Sequence, residues 1–317
     1  MNAPRTRVQR RPVHGVLLLD KPLGFSSNDA LQKVKWLLRA EKAGHTGTLD
    51  PLATGVLPLC FGAATKFSQL QLDAPKTYKA IVQLGTTTTT GDAEGEVLAQ
   101  CAVTPEMLTP ERLAQVQAQF TGAIAQVPPM YSALKKDGKA LYEYARAGVE
   151  VERAARDVQI HALQVENMAN VAPALDWQAQ PAIKITVTCS KGTYIRTLAE
   201  DIAREAGSLA HLTDLRRTAT AGFGIAQSHD IETIEHLELD GRDALLLPCE
   251  VLVAHLPAIT LEDAEIVRLR YGQQVQSSVN YGIISALRVY DVNQTFIGLV
   301  EALPEMRLKA LRLMSTN

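Results

Sequence analysis

The segment Gly44-His45-Thr46-Gly47-Thr48-Leu49-Asp50-Pro51-Leu52-Ala53-Thr54-Gly55 decides how this chain is interpreted. Its three glycines permit tight turns and a close approach of the backbone to a ligand. Pro51 biases the preceding Asp50 toward an extended conformation. The segment therefore predicts a loop that presents one carboxylate, with His45 nearby, and catalytic groups are often held on such loops. Because Asp-Pro is also a common turn former, a purely structural role is an equal alternative from these residues alone.

Motifs of several other enzyme classes are absent. The His-x-Gly-His signature of nucleotidyltransferases needs a second histidine where this chain has Thr48, and no G-x-x-x-x-G-K-[ST] phosphate loop occurs. The four cysteines are far apart, which fits neither a zinc or iron–sulfur site nor a disulfide framework. We therefore expect no metal and no cofactor.

The sequence outward from the segment mixes strand and helix patterns. Residues 15–19 predict a buried strand, and Ser27 or Asn28 is expected to cap the helix that follows. Further strands are predicted at 78–84, 158–166 and 183–189, and helices at 110–120 and 195–206, the last ending at Gly207. Because strands and helices do not alternate strictly, the pattern favours a mixed α+β fold over a doubly wound one.

Composition and charge indicate three segments. Residues 1–13 are rich in arginine and predict a flexible basic tail, residues 14–250 a main domain, and residues 251–317 a small, mostly β module. The formal net charge is only −2 over 317 residues. However, residues 1–50 carry an excess of five positive charges and residues 230–250 an excess of six negative charges. This segregation predicts a basic, nucleic-acid-facing surface with an acidic region elsewhere.

The hydrophobic content of 46% is ordinary for a globular protein and excludes a mainly disordered chain. No signal peptide is evident, and the most apolar later stretch, residues 244–259, is interrupted by charged residues and prolines. We therefore expect a cytoplasmic protein with no membrane association.

Further motifs follow the first in a consistent order. They are Lys76-Thr77-Tyr78-Lys79, Met130-Tyr131-Ser132-Ala133-Leu134-Lys135, Cys189-Ser190-Lys191-Gly192-Thr193-Tyr194-Ile195-Arg196-Thr197 and His211-Leu212-Thr213-Asp214-Leu215-Arg216-Arg217. From about residue 14 to 225 the chain resembles the bacterial TruB-type tRNA pseudouridine synthases. The resemblance implies the pseudouridine synthase fold, with a mixed, largely antiparallel central sheet flanked by helices and a PUA-like C-terminal module.

The resemblance also implies an activity and three catalytic residues. Members of the family isomerise uridine 55 in the T loop of tRNA to pseudouridine, by base flipping and covalent catalysis that needs no cofactor. By position, Asp50 matches the nucleophile, Tyr78 the tyrosine that stacks on the base, and Arg196 the arginine that pairs with the nucleophile. From the residues alone, Tyr78 would instead be a core residue and Arg196 a solvated residue at a helix start.

Substrate-binding residues follow from the same resemblance. His45 is expected to insert into the RNA loop, Tyr194 to line the pocket and Leu215 to contact the base. Residues 127–150 resemble a segment that clamps the RNA. Phosphate contacts are expected from a set of basic residues: Lys21, Lys66, Lys135, Lys136, Lys139, Lys191, Arg216 and Arg217.

One segment departs from the family pattern, because residues 87–90 are all threonine where relatives commonly carry Arg-Thr-Asp-Thr. The expected partner is the T stem-loop of tRNA, bound by a monomer without an obligatory protein partner. Two alternatives remain at this point: a tRNA-binding folding chaperone with little or no catalysis, and the catalytic subunit of a guide-RNA ribonucleoprotein.

Overall fold

The computed structural model describes residues 9–172 and 180–314. Its strands, in chain order, are β1 (Gly15–Lys21), β2 (Ala43–His45), β3 (Ala53–Phe61), β4 (Lys76–Leu84), β5 (Thr86–Thr88), β6 (Val97–Gln100), β7 (Gly122–Gln126), β8 (Lys135–Lys136), β9 (Lys139–Ala140), β10 (Arg156–Asn167), β11 (Ala182–Cys189), β12 (Ala210–Thr220), β13 (Phe223–Gly224), β14 (Ala258–Thr260), β15 (Val275–Gln276), β16 (Ile284–Tyr290), β17 (Phe296–Leu303) and β18 (Arg307–Leu313). The helices are α1 (Ser27–Leu37), α2 (Pro110–Gln119), α3 (Leu141–Arg146), α4 (Met168–Val171), α5 (Ile195–Ala206), α6 (Ile231–His236), α7 (Leu239–Ala244) and α8 (Asp263–Arg270).

The main sheet runs in the order β1-β3-β12-β4-β11-β10-β7, with β2 and β13 at its margins. Neighbouring strands are antiparallel except β12 and β3, which are parallel. The predicted mixed, largely antiparallel α+β fold is therefore confirmed. The parallel pair needs a close approach of two backbones, because a Cβ on Gly55 would lie 2.1 Å from the carbonyl oxygen of Arg217.

Helix α5 covers one face of this sheet and begins beside the cavity described below. Its apolar residues recur at helical spacing and are buried, and Gly207 ends it in the left-handed conformation with φ 99°. The sequence prediction of this helix is confirmed at both ends. Its first turn places Arg196 at the sheet edge, with an exposure of only 6%.

Two local predictions around the first motif need correction. Helix α1 is capped by Ser26, whose side chain accepts a hydrogen bond from the Asp29 N–H, so neither Ser27 nor Asn28 is the cap. The loop predicted over residues 44–55 is shorter, because β2 includes His45 and β3 begins at Ala53. Strand pairing of these ends leaves residues 46–52 as the connecting loop.

Strands β14 to β18 form a second sheet in the order β14-β16-β17-β18-β15. An apolar cluster that includes Val16, Phe67 and Phe296 joins this C-terminal sheet to the back of the main one. The rings of Phe67 and Phe296 lie 5.5 Å apart. The C-terminal β module is therefore packed against the main sheet, while the predicted boundary near residue 250 stays a prediction.

The two segments of opposite charge face each other. Arg11 forms an ion pair with Asp243, and Lys33 of α1 forms one with Glu235 of α6. Two of the basic residues of segment 1–50 thus pair with the acidic stretch. Within the described part of the tail, Arg11 is half-buried, Pro12 is exposed and Val13 is buried. Residues 1–8 lie outside those described, and the flexible tail stays a prediction.

Among the described residues, no helix is both long enough and apolar enough to span a membrane.

Candidate active site

The loop that carries Asp50 is held by backbone and hydroxyl contacts from α1. Ser27, which is buried, donates to the Leu49 carbonyl at 3.0 Å and accepts from the Leu49 N–H at 2.7 Å. The Ala53 N–H donates to the carbonyl of Asp50 at 3.0 Å. The loop is thus fixed on both sides of Asp50, whose own side chain remains 45% exposed.

The side chain of Lys21 also holds the Asp50 loop. It is completely buried, and its ammonium donates to the carbonyls of Pro22, Phe25 and Pro51. Burial lowers its pKa to about 8, against the opposing charge of Asp50. A buried ammonium bonded to three carbonyls does not reach an RNA phosphate, so the expected phosphate contact at Lys21 is corrected to a structural one.

Arg196 connects three segments of the site. Its guanidinium lies 2.9 Å from the Asp50 carboxylate and 3.7 Å from that of Asp92. It also donates to the carbonyls of Thr90 at 2.8 Å and Tyr131 at 2.7 Å. The expectation of a solvated arginine is therefore wrong, and the pairing with Asp50 that the resemblance implied is present in the structure.

The threonine run does not remove this connection. The contact from Thr90 to Arg196 uses the main-chain carbonyl, which any residue supplies. The side chain of Thr90 instead donates to Asp92, which is itself 4% exposed. The substitution of threonines for the usual family residues is therefore compatible with the same arrangement around Arg196.

Asp50 and Arg196 stand at the mouth of a cavity of about 280 Å³. Tyr78 from β4, Leu215 from β12 and Tyr194 at the start of α5 line it. Burial raises the pKa of both tyrosine hydroxyls, so both are neutral at pH 7. A cavity whose lining combines two tyrosine rings and a leucine with one carboxylate fits a planar, uncharged ring that reacts with that carboxylate.

A second recess of about 380 Å³ shares Asp50 and Arg196 with the first. Its walls include His45 from β2, and Tyr142 and Arg146 from α3 in the segment 127–150. The His45 Nδ1 atom is buried without a hydrogen-bond partner in the described chain. Burial and the charge of Arg217 lower the pKa of His45, so its ring is neutral at pH 7. The structure therefore brings His45 and the segment 127–150 to the same entrance.

Three of the basic residues expected at phosphates are engaged in contacts within the protein. Lys66 donates to the Leu313 carbonyl at 2.8 Å, at the contact with the C-terminal sheet, and lines neither cavity. Arg216 forms an ion pair with Asp20. Arg217 is completely buried. Sequence reasoning missed this burial because a basic residue is usually exposed.

Two further residues of the cavity wall were not predicted. Lys76 lines the cavity and donates to the carbonyls of Leu72 and Ala74. Ser132 belongs to the wall of both recesses, and its buried hydroxyl adjoins the hydroxyl of Tyr194. Both residues occur in the quoted motifs, which was the available signal.

Comparison with solved structures identifies the fold. The chain has a TM-score of 0.64 to a structure of a Cbf5–Nop10–Gar1 complex, at 24% identity, covering 96% of this chain and 82% of that one. A structure of an archaeal box H/ACA Nop10–Cbf5 complex gives a TM-score of 0.66 at 21% identity, over 98% of this chain and 88% of that one. These similarities establish the fold, which is the pseudouridine synthase fold.

Sequence comparison defines the family. The model described as "TruB family pseudouridylate synthase (N terminal domain)" matches residues 35–195, and two TruB C-terminal models match residues 196–254 and 257–314. A protein of Verminephrobacter eiseniae named tRNA pseudouridine synthase B is 64% identical over 85% of this chain and 80% of its own length. One of the same name from Neisseria meningitidis serogroup A is 53% identical over 97% and 96%. The chain belongs to the TruB family of pseudouridylate synthases.

Proposed function

We propose that this chain isomerises uridine 55 in the T loop of tRNA to pseudouridine, with Asp50 as the nucleophile. The observation that carries the proposal is the Asp50–Arg196 pair, 2.9 Å apart, at the entrance of a cavity walled by Tyr78, Tyr194 and Leu215. Relatives that are 50–64% identical to this chain are named tRNA pseudouridine synthase B, which supports the same reaction and a tRNA substrate.

The reaction needs only groups that the site provides. The N1–C1′ glycosidic bond breaks, a C5–C1′ bond forms, and one proton moves from C5 to N1, so no electron or group is gained. Asp50 supplies the oxygen nucleophile for covalent catalysis. Arg196 orients this carboxylate and balances its charge, because both groups lie at hydrogen-bond distance.

The base must leave its stack before it can react. In this proposal, Tyr78 stacks on the flipped uracil, and Leu215 and Tyr194, which line the same cavity, enclose it. His45 stands at the entrance, where an inserted ring fills the space that the flipped nucleotide leaves. These contacts recognise an unstacked base and the shape of a loop, which is the usual mode for structured RNA.

The segment 127–150 supplies the clamp. Lys135, Lys136 and Lys139 are exposed there, and α3 adds Tyr142 and Arg146 to the wall of the entrance. Exposed cations bind phosphates, and aromatic rings stack on bases. Because Arg196 also bonds the Tyr131 carbonyl, closure of this clamp on RNA acts on the same residue that orients Asp50.

The isolated chain tests the proposal. We expect purified wild-type protein, with no other protein and no guide RNA, to convert the T-loop uridine of a T-arm transcript to pseudouridine, measured by nucleoside chromatography with mass spectrometry. Asp50→Asn should bind the transcript with wild-type affinity and form none. Equal conversion by Asp50→Asn would contradict the nucleophile. Binding without conversion by the wild type would favour a chaperone, and conversion only with a guide RNA would favour a ribonucleoprotein subunit.

A further inference from the structure

Three basic side chains are buried around the candidate active site. Lys21 and Arg217 are 0% exposed and Lys76 is 9% exposed. In the described part of the chain, each donates to backbone carbonyls, and none is within ion-pair distance of a carboxylate. Burying a cation without an opposite charge is costly, because its hydration is lost. Such a cost is typical of functional sites, where shifted ionisation is used.

Arg217 is the most constrained of the three. Its Nε donates to the Val56 carbonyl at 2.7 Å, and its Nη2 donates to the Gly47 carbonyl at 3.3 Å. Its Nη1 is buried and donates to no backbone carbonyl of the described residues. Gly47 lies in the loop that leads to Asp50, so one arm of the guanidinium holds this loop while another makes no contact with a carbonyl.

The guanidinium of Arg217 adjoins Tyr78. Arg217 of β12 is the register partner of Tyr78 on β4, and directly paired residues project to the same side of a sheet. Burial raises the pKa of the Tyr78 hydroxyl, and the charge of Arg217 and a hydrogen bond with its side chain oppose that rise. The other titratable groups that act on Tyr78 are Cys189 of β11 and Asp50 of the loop, and both disfavour a phenolate.

The proposed reaction explains why a cation is buried beside the Tyr78 hydroxyl. If the Tyr78 hydroxyl gives its proton to N1, an O–H bond breaks and an N–H bond forms, leaving a phenolate. The phenolate then takes the proton of C5, re-forming the O–H bond, while the electron pair of the C5–H bond returns to the ring. The phenolate is short-lived but buried, and it needs a cation that the solvent cannot replace.

We propose that Arg217 is a positioning residue for pseudouridine formation, which stabilises the transient phenolate of Tyr78 and holds the Asp50 loop through the Gly47 carbonyl. This inference rests on the proposed function. A neutral donor such as glutamine would also satisfy backbone carbonyls, so the positive charge is the property that the carbonyl contacts leave unexplained.

Two substitutions separate charge from shape. Arg217→Gln removes the cation, whereas Arg217→Lys keeps it and loses the forked geometry. Arg242→Gln is the matched control, because Arg242 also donates to three carbonyls, those of Leu37, Ile234 and Glu235, but lies away from both recesses. We expect Arg217→Gln to lower the single-turnover rate on a T-arm transcript by about 100-fold, the low end of what positioned proton transfer contributes. The rate of Arg217→Lys should be at least tenfold higher than that of Arg217→Gln, and the rate of Arg242→Gln should match the wild type.

A second measurement follows the ionisation of the residue at position 78 directly. With 3,5-difluorotyrosine at position 78, which ionises near neutral pH, the ring is titrated by ¹⁹F NMR. We expect the midpoint to rise by at least one pH unit in Arg217→Gln and by less in Arg217→Lys, with no change in Arg242→Gln. If Arg217→Gln does not fold, a midpoint in Arg217→Lys that equals the wild-type value, with a rate within tenfold of the wild type, supports the proposal.

An unchanged midpoint in Arg217→Gln, or equal rate losses in the lysine and glutamine variants, would overturn it. Failure of the proposed function is distinguishable, because the wild-type protein itself would then form no pseudouridine.

Discussion

The two sides of the entrance are built differently. On one side, the Asp50 loop is fixed by buried contacts from Ser27 and Lys21 and by the carbonyl bond of Arg217. On the other side, the segment 127–150 carries exposed lysines and the short hairpin of β8 and β9. Under the proposed function, the first side is preorganised for chemistry and the second binds the RNA. Arg196 is the residue that contacts both.

The largest effect is expected at Tyr78, where a substitution should strongly reduce the reaction rate and leave RNA affinity nearly unchanged. Tyr78 is 7% exposed and belongs to the wall of the cavity that Asp50 also lines. Tyr78→Leu should therefore reduce pseudouridine formation by about 10³-fold or more, within the range of a positioned proton-transfer group. Affinity for a T-arm transcript, measured by filter binding, should stay within about threefold because the phosphate contacts dominate it. A Tyr78→Leu enzyme with near wild-type turnover would show that the tyrosine is dispensable.

Substitution of Arg196, which contacts both sides, should lower the stability of the protein as well as the reaction rate. Arg196→Met removes the partner of Asp50 and leaves Asp92 buried without its cation. We expect the single-turnover rate to fall by about 10²–10³-fold, as when one preorganised donor is removed. The free energy of unfolding in urea should fall by about 3 kcal/mol, because a buried charge loses its partner.

The matched variant Arg204→Met removes an exposed ion pair with Asp201 on the same helix and should change stability by less than about 1 kcal/mol. Equal stability losses in the two variants would argue against a special role of Arg196 in joining the two sides.

The smallest effect on the reaction rate is expected for the exposed lysines of segment 127–150. Replacing Lys135, Lys136 and Lys139 together with alanine should weaken RNA binding and leave the rate at saturating RNA within about threefold. If each lysine neutralises one phosphate of a single strand, the slope of log affinity against log salt should fall by about 2. A large loss of rate at saturation, with no change in the salt dependence of binding, would place these lysines in the chemistry instead.

The sequence was informative where a local pattern determines the structure. The periodicity and Gly207 predicted α5, and apolar alternation predicted the main strands, because burial on one face is visible in the residues themselves. The convergence of Asp50, Tyr78 and Arg196 was available only through the resemblance to a family. Their separation along the chain carries no information about distance without the fold.

Burial of basic residues was the main failure of prediction. Lys21 and Arg217 were expected at phosphates because lysine and arginine are usually exposed. Their actual environment depends on which strand packs beside them, and β3 pairs with both β1 and β12. The same limitation hid the pairing of the basic N-terminal segment with the acidic stretch, since Arg11 and Asp243 are more than two hundred residues apart.

The central claim is that Asp50 of this chain produces pseudouridine at position 55 of tRNA without a guide. Its most direct test is nucleotide-resolution mapping of pseudouridine in tRNA from cells that lack this protein, complemented either with the wild-type chain or with Asp50→Asn. We expect uridine at position 55 in the deletion, pseudouridine after complementation with the wild type, and uridine with Asp50→Asn at equal protein abundance. Pseudouridine that persists in the deletion, or that Asp50→Asn restores, would contradict the claim.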